Sequence, residues 1–215
     1  MKKFTFGYIE HDANVFDRYL KKSLEKLDRN LFEILTISDI NKPAINYNIL
    51  LNNCKTEYII LTHSDVSFPP NLLECIENTI NLVPDFGCLG LIGVDRNDGS
   101  YKWSNKNEIY EVDTLDCCFI VLKVSDFIKF DELNFDDYHL YVEDICAQMN
   151  RVFNKKNYTI LIDSCEISDN IYEETYIPTK LTHHSATLSK LGIMWGKYSH
   201  YKQILINKWG NIKTT

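Results

Sequence analysis

No uninterrupted run of about 18 apolar residues occurs anywhere in the chain, so nothing in it reads as a membrane-spanning helix. The longest apolar stretches, such as YIIL and CLGLIGV, have the length of strands. The opening MKKFTFGYIE lacks the apolar core of a signal peptide, and the seven cysteines include no CxxC pair; both features point to a reducing cytoplasm. Positive charge is also short. The 23 Lys and Arg stand against 30 Asp and Glu, a net charge of -7, which removes the global attraction that a nucleic-acid binder uses. No GxGxxG follows the first apolar run and no GxxxxGK[ST] occurs, which excludes the usual dinucleotide and P-loop strategies. Internal repeats and low-complexity segments are absent.

What remains is the composition of an ordinary globular chain, 45% hydrophobic and 25% charged over 215 residues, enough for one domain with a full core. Residues 4–9 read as a buried strand. Val15, Phe16, Tyr19, Leu20, Leu24 and Leu27 then recur at helical spacing behind the capping residues Asp12 and Asn14. A second strand is expected over 32–38, a short helix over 44–53 and a third strand over 57–62. Pro69 and Pro70 suit the start of a helix carrying Leu72, Leu73, Ile76, Ile80 and Val83, which Pro84 stops, and residues 86–94 read as a further strand. Beyond a polar stretch around Trp103, a strand is expected from about Asp116 to Lys123 and a helix from near Tyr141. This order predicts an α/β fold: an open, mostly parallel sheet flanked by helices in a single domain.

Ligands of such sheets gather beyond the carboxyl ends of the strands, which singles out Glu10, His11, Asp39, His63 and Asp65. In extended geometry His63 and Asp65, two residues apart, point the same way, and an imidazole and a carboxylate so placed can share a divalent cation that holds a diphosphate. The plainer alternative makes Asp65 a loop cap and His63 a solvated strand end. Asp39 can accept hydrogen bonds from a ribose or base, or simply form a turn before Pro43. Tyr8 can stack on a base or pack in the core.

The run AINYNILLNNCKTEYIILTHSDV resembles the donor-binding segment of family 2 nucleotide-sugar glycosyltransferases, in particular a bacterial branch with His-x-Asp where others carry Asp-x-Asp. VDTLDCCFIVLK looks like that family's central strand and FDELNFDDYHLYVEDICAQM like its acidic acceptor-side motif. The resemblance covers most of the chain and implies a GT-A fold, with a nucleotide-sugar half over about 1–100 and an acceptor half over 101–185. It implies that Asn48, His63, Asp65 and Asp116 bind the nucleotide sugar, together with Asp39; Tyr8, if it stacks on the base, joins them. It implies Asp144 as the general base, with Glu143 beside it, although Asp144 can also be an ordinary first-turn acid favoured by the helix dipole. THHSA at 182–186 resembles the family's late His segment; His184 is chosen over His183 to join Asp65 and His63 around Mn²⁺ or Mg²⁺. Paired histidines can equally be surface residues.

The implied function is transfer of a sugar from a nucleoside diphosphate donor, UDP-linked, to a glycan or lipid-linked acceptor hydroxyl, with inversion, in bacterial surface-glycan assembly. A nucleotide-sugar binding module without catalysis is the second class. A sugar nucleotidyltransferase is the third, disfavoured because GYIEHDAN offers no Gly-rich basic loop. Nucleic acid is not an expected partner.

Residues 186–215 carry five Lys and no acid, whereas the first 185 residues carry 18 Lys and Arg against 30 acids. Leu191, Met194, Trp195, Tyr198, Leu205 and Ile206 are roughly helix-spaced, so this basic, aromatic tail is expected to pack on the body. Peripheral contact with anionic lipid at the inner face of a membrane, through Trp195, Tyr198, Tyr201 and Trp209 among the lysines, is the alternative. Cys117 and Cys118, adjacent in a strand, point to opposite faces and read as small packing residues.

Overall fold

Alternation along the first strand sets the layers. Phe4, Phe6 and Tyr8 enter one apolar cluster while Ile9 enters a second on the opposite face of the sheet. The third and tenth strands obey the same parity: Tyr58, Ile60, Phe119 and Val121 face the first cluster, Ile59, Leu61, Ile120 and Leu122 the second. A sheet apolar on both faces needs helices on both, and it has them. The computed structural model describes residues 2–38, 42–126, 128–163, 165–167, 181–184 and 197–214.

In chain order the elements are β1 (Phe4–Ile9), α1 (Ala13–Arg18), α2 (Leu20–Leu24), β2 (Phe32–Ile37), α3 (Pro43–Asn53), β3 (Tyr58–His63), β4 (Val66–Ser67), α4 (Leu72–Leu82), β5 (Phe86–Gly90) and β6 (Ile92–Val94). There follow β7 (Tyr101–Trp103), β8 (Glu111–Val112), β9 (Thr114–Leu115), β10 (Phe119–Lys123), α5 (Tyr141–Arg151), β11 (Lys156–Thr159), β12 (Cys165–Ile167), β13 (Leu181–His183) and α6 (Tyr198–Trp209). The main sheet has seven strands in the order β2-β1-β3-β10-β5-β11-β8. β1 runs parallel to β2 and β3, and β11 parallel to β5, whereas β10 is antiparallel to both its neighbours and β8 to β11. Helices α2 and α4 cover one face, and α3, α5 and α6 the other.

The open, mostly parallel sheet agrees with the expectation from the sequence, and three details differ. The predicted helix behind Asp12 is broken at Tyr19, whose ring stacks on His184. The run 86–94 is two strands in two sheets. It bends out of the main sheet after Gly90, where a β-carbon would come within 2.9 Å of the Leu115 side chain. Asp116 precedes β10 instead of opening it; its carboxylate accepts a hydrogen bond from the Cys118 amide at 2.8 Å, forming a turn.

Two small sheets complete the fold. β6 lies between β7 and β9, and β13 between β12 and β4. The β13–β4 pair is antiparallel, with His183 opposite Val66, and it brings residues 181–184 against the loop that leaves β3. Among the described residues, no helix is long and apolar enough to cross a membrane.

In the tail, Tyr201 and Leu205 of α6 are buried in the same cluster as α3 and α5, and Ile212 joins them. Leu191, Met194 and Trp195 lie outside the described residues.

Candidate active site

Strand β3 ends at His63, and its last amide donates to the Cys118 carbonyl at 2.9 Å, which joins the start of β10 to the end of β3. Ser64 and Asp65 then form a turn before β4. His63 and Asp65 therefore meet across a turn and not, as the spacing suggested, along one face of an extended strand. His63 Nδ1 lies 3.9 Å from Asp65 Oδ1, and His183 Nε2 approaches the same oxygen at 3.6 Å. These three donor atoms lie within 4.8 Å of one another, and Asp116, Cys118 and His183 form a second such group sharing His183.

Separations of 3.6 and 3.9 Å are too long for hydrogen bonds but suit an ion in between. Tetrahedral ligands about 2.1 Å from a metal lie about 3.4 Å apart. Burial is the main reason that the His63 imidazole is pushed down to about 4, with His183 acting in the same direction against the pull of Asp65. His63 is therefore neutral at pH 7 and has a lone pair to give, so the residues present fit a divalent cation.

The histidine expected in this cluster was His184; the structure places His183 there. Successive residues of a strand face opposite ways, so once His183 turns to Asp65 its neighbour must turn from it. His184 Nε2 pairs with Ser67 Oγ at 3.0 Å, and its ring stacks on Tyr19 at 3.9 Å between centroids. Its backbone serves the site, through an amide that donates to the Asp65 carbonyl at 3.0 Å.

Helix α5 contributes from the opposite side. Its first residue, Tyr141, places its hydroxyl 3.0 Å from His63 Nε2, and its ring packs on that of Tyr47 from α3 at 5.5 Å between centroids. Burial, Asp116 and Glu143 push the Cys117 thiol well above its usual range. Glu143 is buried and close enough to Cys117 to act on it electrostatically. His11, at the end of β1, reaches the same turn, with Nδ1 2.7 Å from Ser64 Oγ.

Asp144 is held differently. One residue further along a helix is a rotation of about 100°, and its carboxylate meets α6. It accepts from Trp209 Nε1 at 2.6 Å and Gln148 Nε2 at 2.9 Å, and pairs with Lys208 at 2.8 Å. The side chain is fully buried, beneath a cavity of about 380 Å³ lined by Gln148, Lys208 and Trp209 together with Lys129, Phe130 and Val152.

Asn48 and Tyr8 also serve the scaffold. The Asn48 amide donates to the Phe130 carbonyl at 2.9 Å and accepts from the Phe130 amide at 2.8 Å, clamping the loop before α5. Tyr8 stacks on Phe16 within the core at 5.0 Å. Asp39 lies outside the described residues. Tyr141 and Cys118 were missed as site residues. For Tyr141 the one available signal was its place two positions before Glu143, at the start of a helix already suspected of carrying acids.

No family model matches the chain, and no curated protein matches it in sequence. Solved structures do match in shape. A crystal structure of GalNAc-T7 with UDP, GalNAc and Mn²⁺ superposes with a TM-score of 0.58 at 10% identity, covering 75% of this chain and 43% of the other. S. aureus TarS, residues 1-349, superposes with a TM-score of 0.54 at 14% identity, covering 94% and 69%. The same TarS fragment in complex with UDP gives 0.50 at 16% identity, covering 74% and 57%. The chain thus spans less than half of the GalNAc-T7 chain that it matches. A seven-stranded, mostly parallel sheet with helices on both faces, shared with these proteins over most of the chain, gives this protein the GT-A fold.

Proposed function

We propose that the chain is a nucleotide-sugar glycosyltransferase that moves a sugar from a UDP-linked donor to an acceptor hydroxyl with inversion at the anomeric carbon. The convergence of His63 Nδ1, Asp65 Oδ1 and His183 Nε2 at the carboxyl edge of β3 carries this reading. The fold shared with GalNAc-T7 and TarS supports it, as does the likeness of residues 44–66 to a family 2 donor segment. The edge where β3 and β10 meet is where an open α/β sheet receives its ligand.

His63, Asp65 and His183 are the residues that would hold a divalent cation, whose contribution when bound is to neutralise the diphosphate that departs. Two imidazoles and one carboxylate suit Mn²⁺ better than Mg²⁺, which prefers oxygen ligands and keeps its waters. Asp116, fixed through its bond to the Cys118 amide, borders the donor sugar. Glu143 takes the proton of the acceptor hydroxyl as the new bond forms, and a direct displacement from the side opposite the diphosphate inverts the configuration. Between the two acids of α5, Glu143 is preferred because Asp144 is committed to Lys208 and Trp209. The acceptor is a glycan or lipid-linked glycan of a bacterial surface polymer, in line with the family resemblance.

The test is release of UDP from a panel of UDP-sugars with Mn²⁺, alongside the melting temperature with each ligand, since a ligand that binds only the native state must raise it. A panel in which no nucleoside diphosphate or its sugar shifts the melting temperature, with or without Mn²⁺, defeats the proposal. The tie of Asp144 to α6 favours one second reading, a binding module without catalysis. Binding without UDP release or sugar transfer would support that reading.

A further inference from the structure

We propose that Tyr141 is a positioning residue that fixes the tautomer of His63, holding the ring proton on Nε2 so that Nδ1 presents its lone pair to a cation shared with Asp65 and His183. This inference rests on the cation site proposed above.

The geometry gives the two ring nitrogens different surroundings. Nε2 lies 3.0 Å from the Tyr141 hydroxyl, within hydrogen-bond distance. Nδ1 faces the Asp65 carboxylate at 3.9 Å, too far to donate to it directly. A neutral imidazole carries one proton, and whichever nitrogen bears it cannot bind a metal. If Tyr141 donated to Nε2, the proton would sit on Nδ1 and point into the space between His63, Asp65 and His183. If Tyr141 accepts, the ring proton sits on Nε2 and Nδ1 is the free base.

The surroundings of Tyr141 hold this arrangement. Its ring is buried, and it packs on Tyr47 at 5.5 Å and on Phe130 at 6.0 Å between centroids, so the hydroxyl cannot swing away without disturbing α3. Burial pushes both the Tyr141 and Tyr47 phenols well above their usual range, which keeps them protonated and polar but uncharged. The Phe130 backbone is itself clamped by Asn48 on α3, next to Tyr47 in sequence, so α3, the loop before α5 and the first turn of α5 form one support beneath His63. Metal-binding histidines commonly donate their second ring N–H to such a partner, and removing the partner typically weakens the metal by 10–100-fold.

The experiment compares wild type, Tyr141→Phe and Tyr47→Phe, each labelled with ¹⁵N-histidine and free of metal, with His63→Gln used to assign the His63 signals. Two-bond ¹H–¹⁵N correlation spectra report which ring nitrogen is protonated. Calorimetric titration with Mn²⁺ alone reports affinity. The expected result is an Nε2–H tautomer in wild type, a mixture of tautomers in Tyr141→Phe, and Mn²⁺ binding about 10–100-fold weaker in that variant. Tyr47→Phe, which leaves the Tyr141 hydroxyl in place, is expected to keep the Nε2–H tautomer.

A wild-type His63 protonated on Nδ1 would overturn the proposal, and so would a Tyr141→Phe protein that binds Mn²⁺ as wild type does. Should Tyr141→Phe fold poorly, the wild-type tautomer still decides. Wild-type protein that binds no Mn²⁺ would remove the cation site itself and the proposal with it, a failure recognisable before any variant is compared.

Discussion

The carboxylate of Asp144 and the indole of Trp209 are joined by a 2.6 Å hydrogen bond across 65 residues of chain, and Lys208 closes on the same carboxylate from the same helix. The pair anchors α6 to α5. Loss of a hydrogen bond to a buried charged group costs roughly 1.5–3 kcal/mol. Trp209→Phe and Asp144→Asn are therefore each expected to lower the urea midpoint by a corresponding amount. An Asp144→Asn protein of native stability that has lost turnover would return Asp144 to the role of base.

Glu143→Gln is expected to lower turnover by about a hundredfold, the scale of general-base removal, while leaving Mn²⁺ and UDP affinity nearly unchanged. Initial rates at saturating donor, paired with calorimetry of UDP binding, separate the two effects. Near-normal turnover in this variant would dismiss Glu143 as the base.

The two adjacent histidines are expected to divide cleanly. His183→Ala should abolish the Mn²⁺-dependent rise in melting temperature that wild type shows. His184→Ala should retain that rise and instead start from a lower baseline by about 2 kcal/mol, the sum expected for one aromatic stack and one hydrogen bond. The opposite pattern in a thermal-shift series would reverse their assignment.

Stability of the metal-free protein should depend on pH through His63. The folded ring resists protonation until about pH 4, whereas an unfolded histidine takes its proton near 6.5. The unfolded state therefore binds more protons between these values, so this contribution is complete above pH 6.5 and declines as the pH falls toward 4. Urea midpoints in the presence of a chelator, measured from pH 7 to 4.5, should fall more steeply for wild type than for His63→Gln. Parallel curves would contradict the assignment.

Asn48→Ala is expected to cost at least about 2 kcal/mol, because it strands both the amide and the carbonyl of Phe130 in the interior. Its effect on UDP affinity should be secondary to that loss. A variant as stable as wild type but unable to bind UDP would restore Asn48 to the donor site.

Much of this was legible in the sequence. The alternation in FTFGYI, the apolar run YIIL and the helical spacing from Leu72 onward placed the central elements, because a residue's neighbours in the chain are enough to set strand parity and helix periodicity. The motif HSD was read at the carboxyl end of the third strand, where a turn and not an extended strand brings the two side chains together. The choice between His183 and His184, and the separate surroundings of Glu143 and Asp144, were not legible. Each is a question of which neighbour faces a partner distant in sequence.

The chain alone therefore determined the parts: strands of known parity, helices of known apolar face, and an inventory of imidazoles and carboxylates at their ends. The tertiary structure decided the assignments among them. The pairing of β13 with β4 decided that His183 meets Asp65, and the docking of α6 on α5 decided that Asp144 is bound by Lys208 and Trp209. The reason is geometric: one residue's step reverses a side chain on a strand and turns it by about 100° on a helix, so only the position of the distant partner settles which of two adjacent residues it meets.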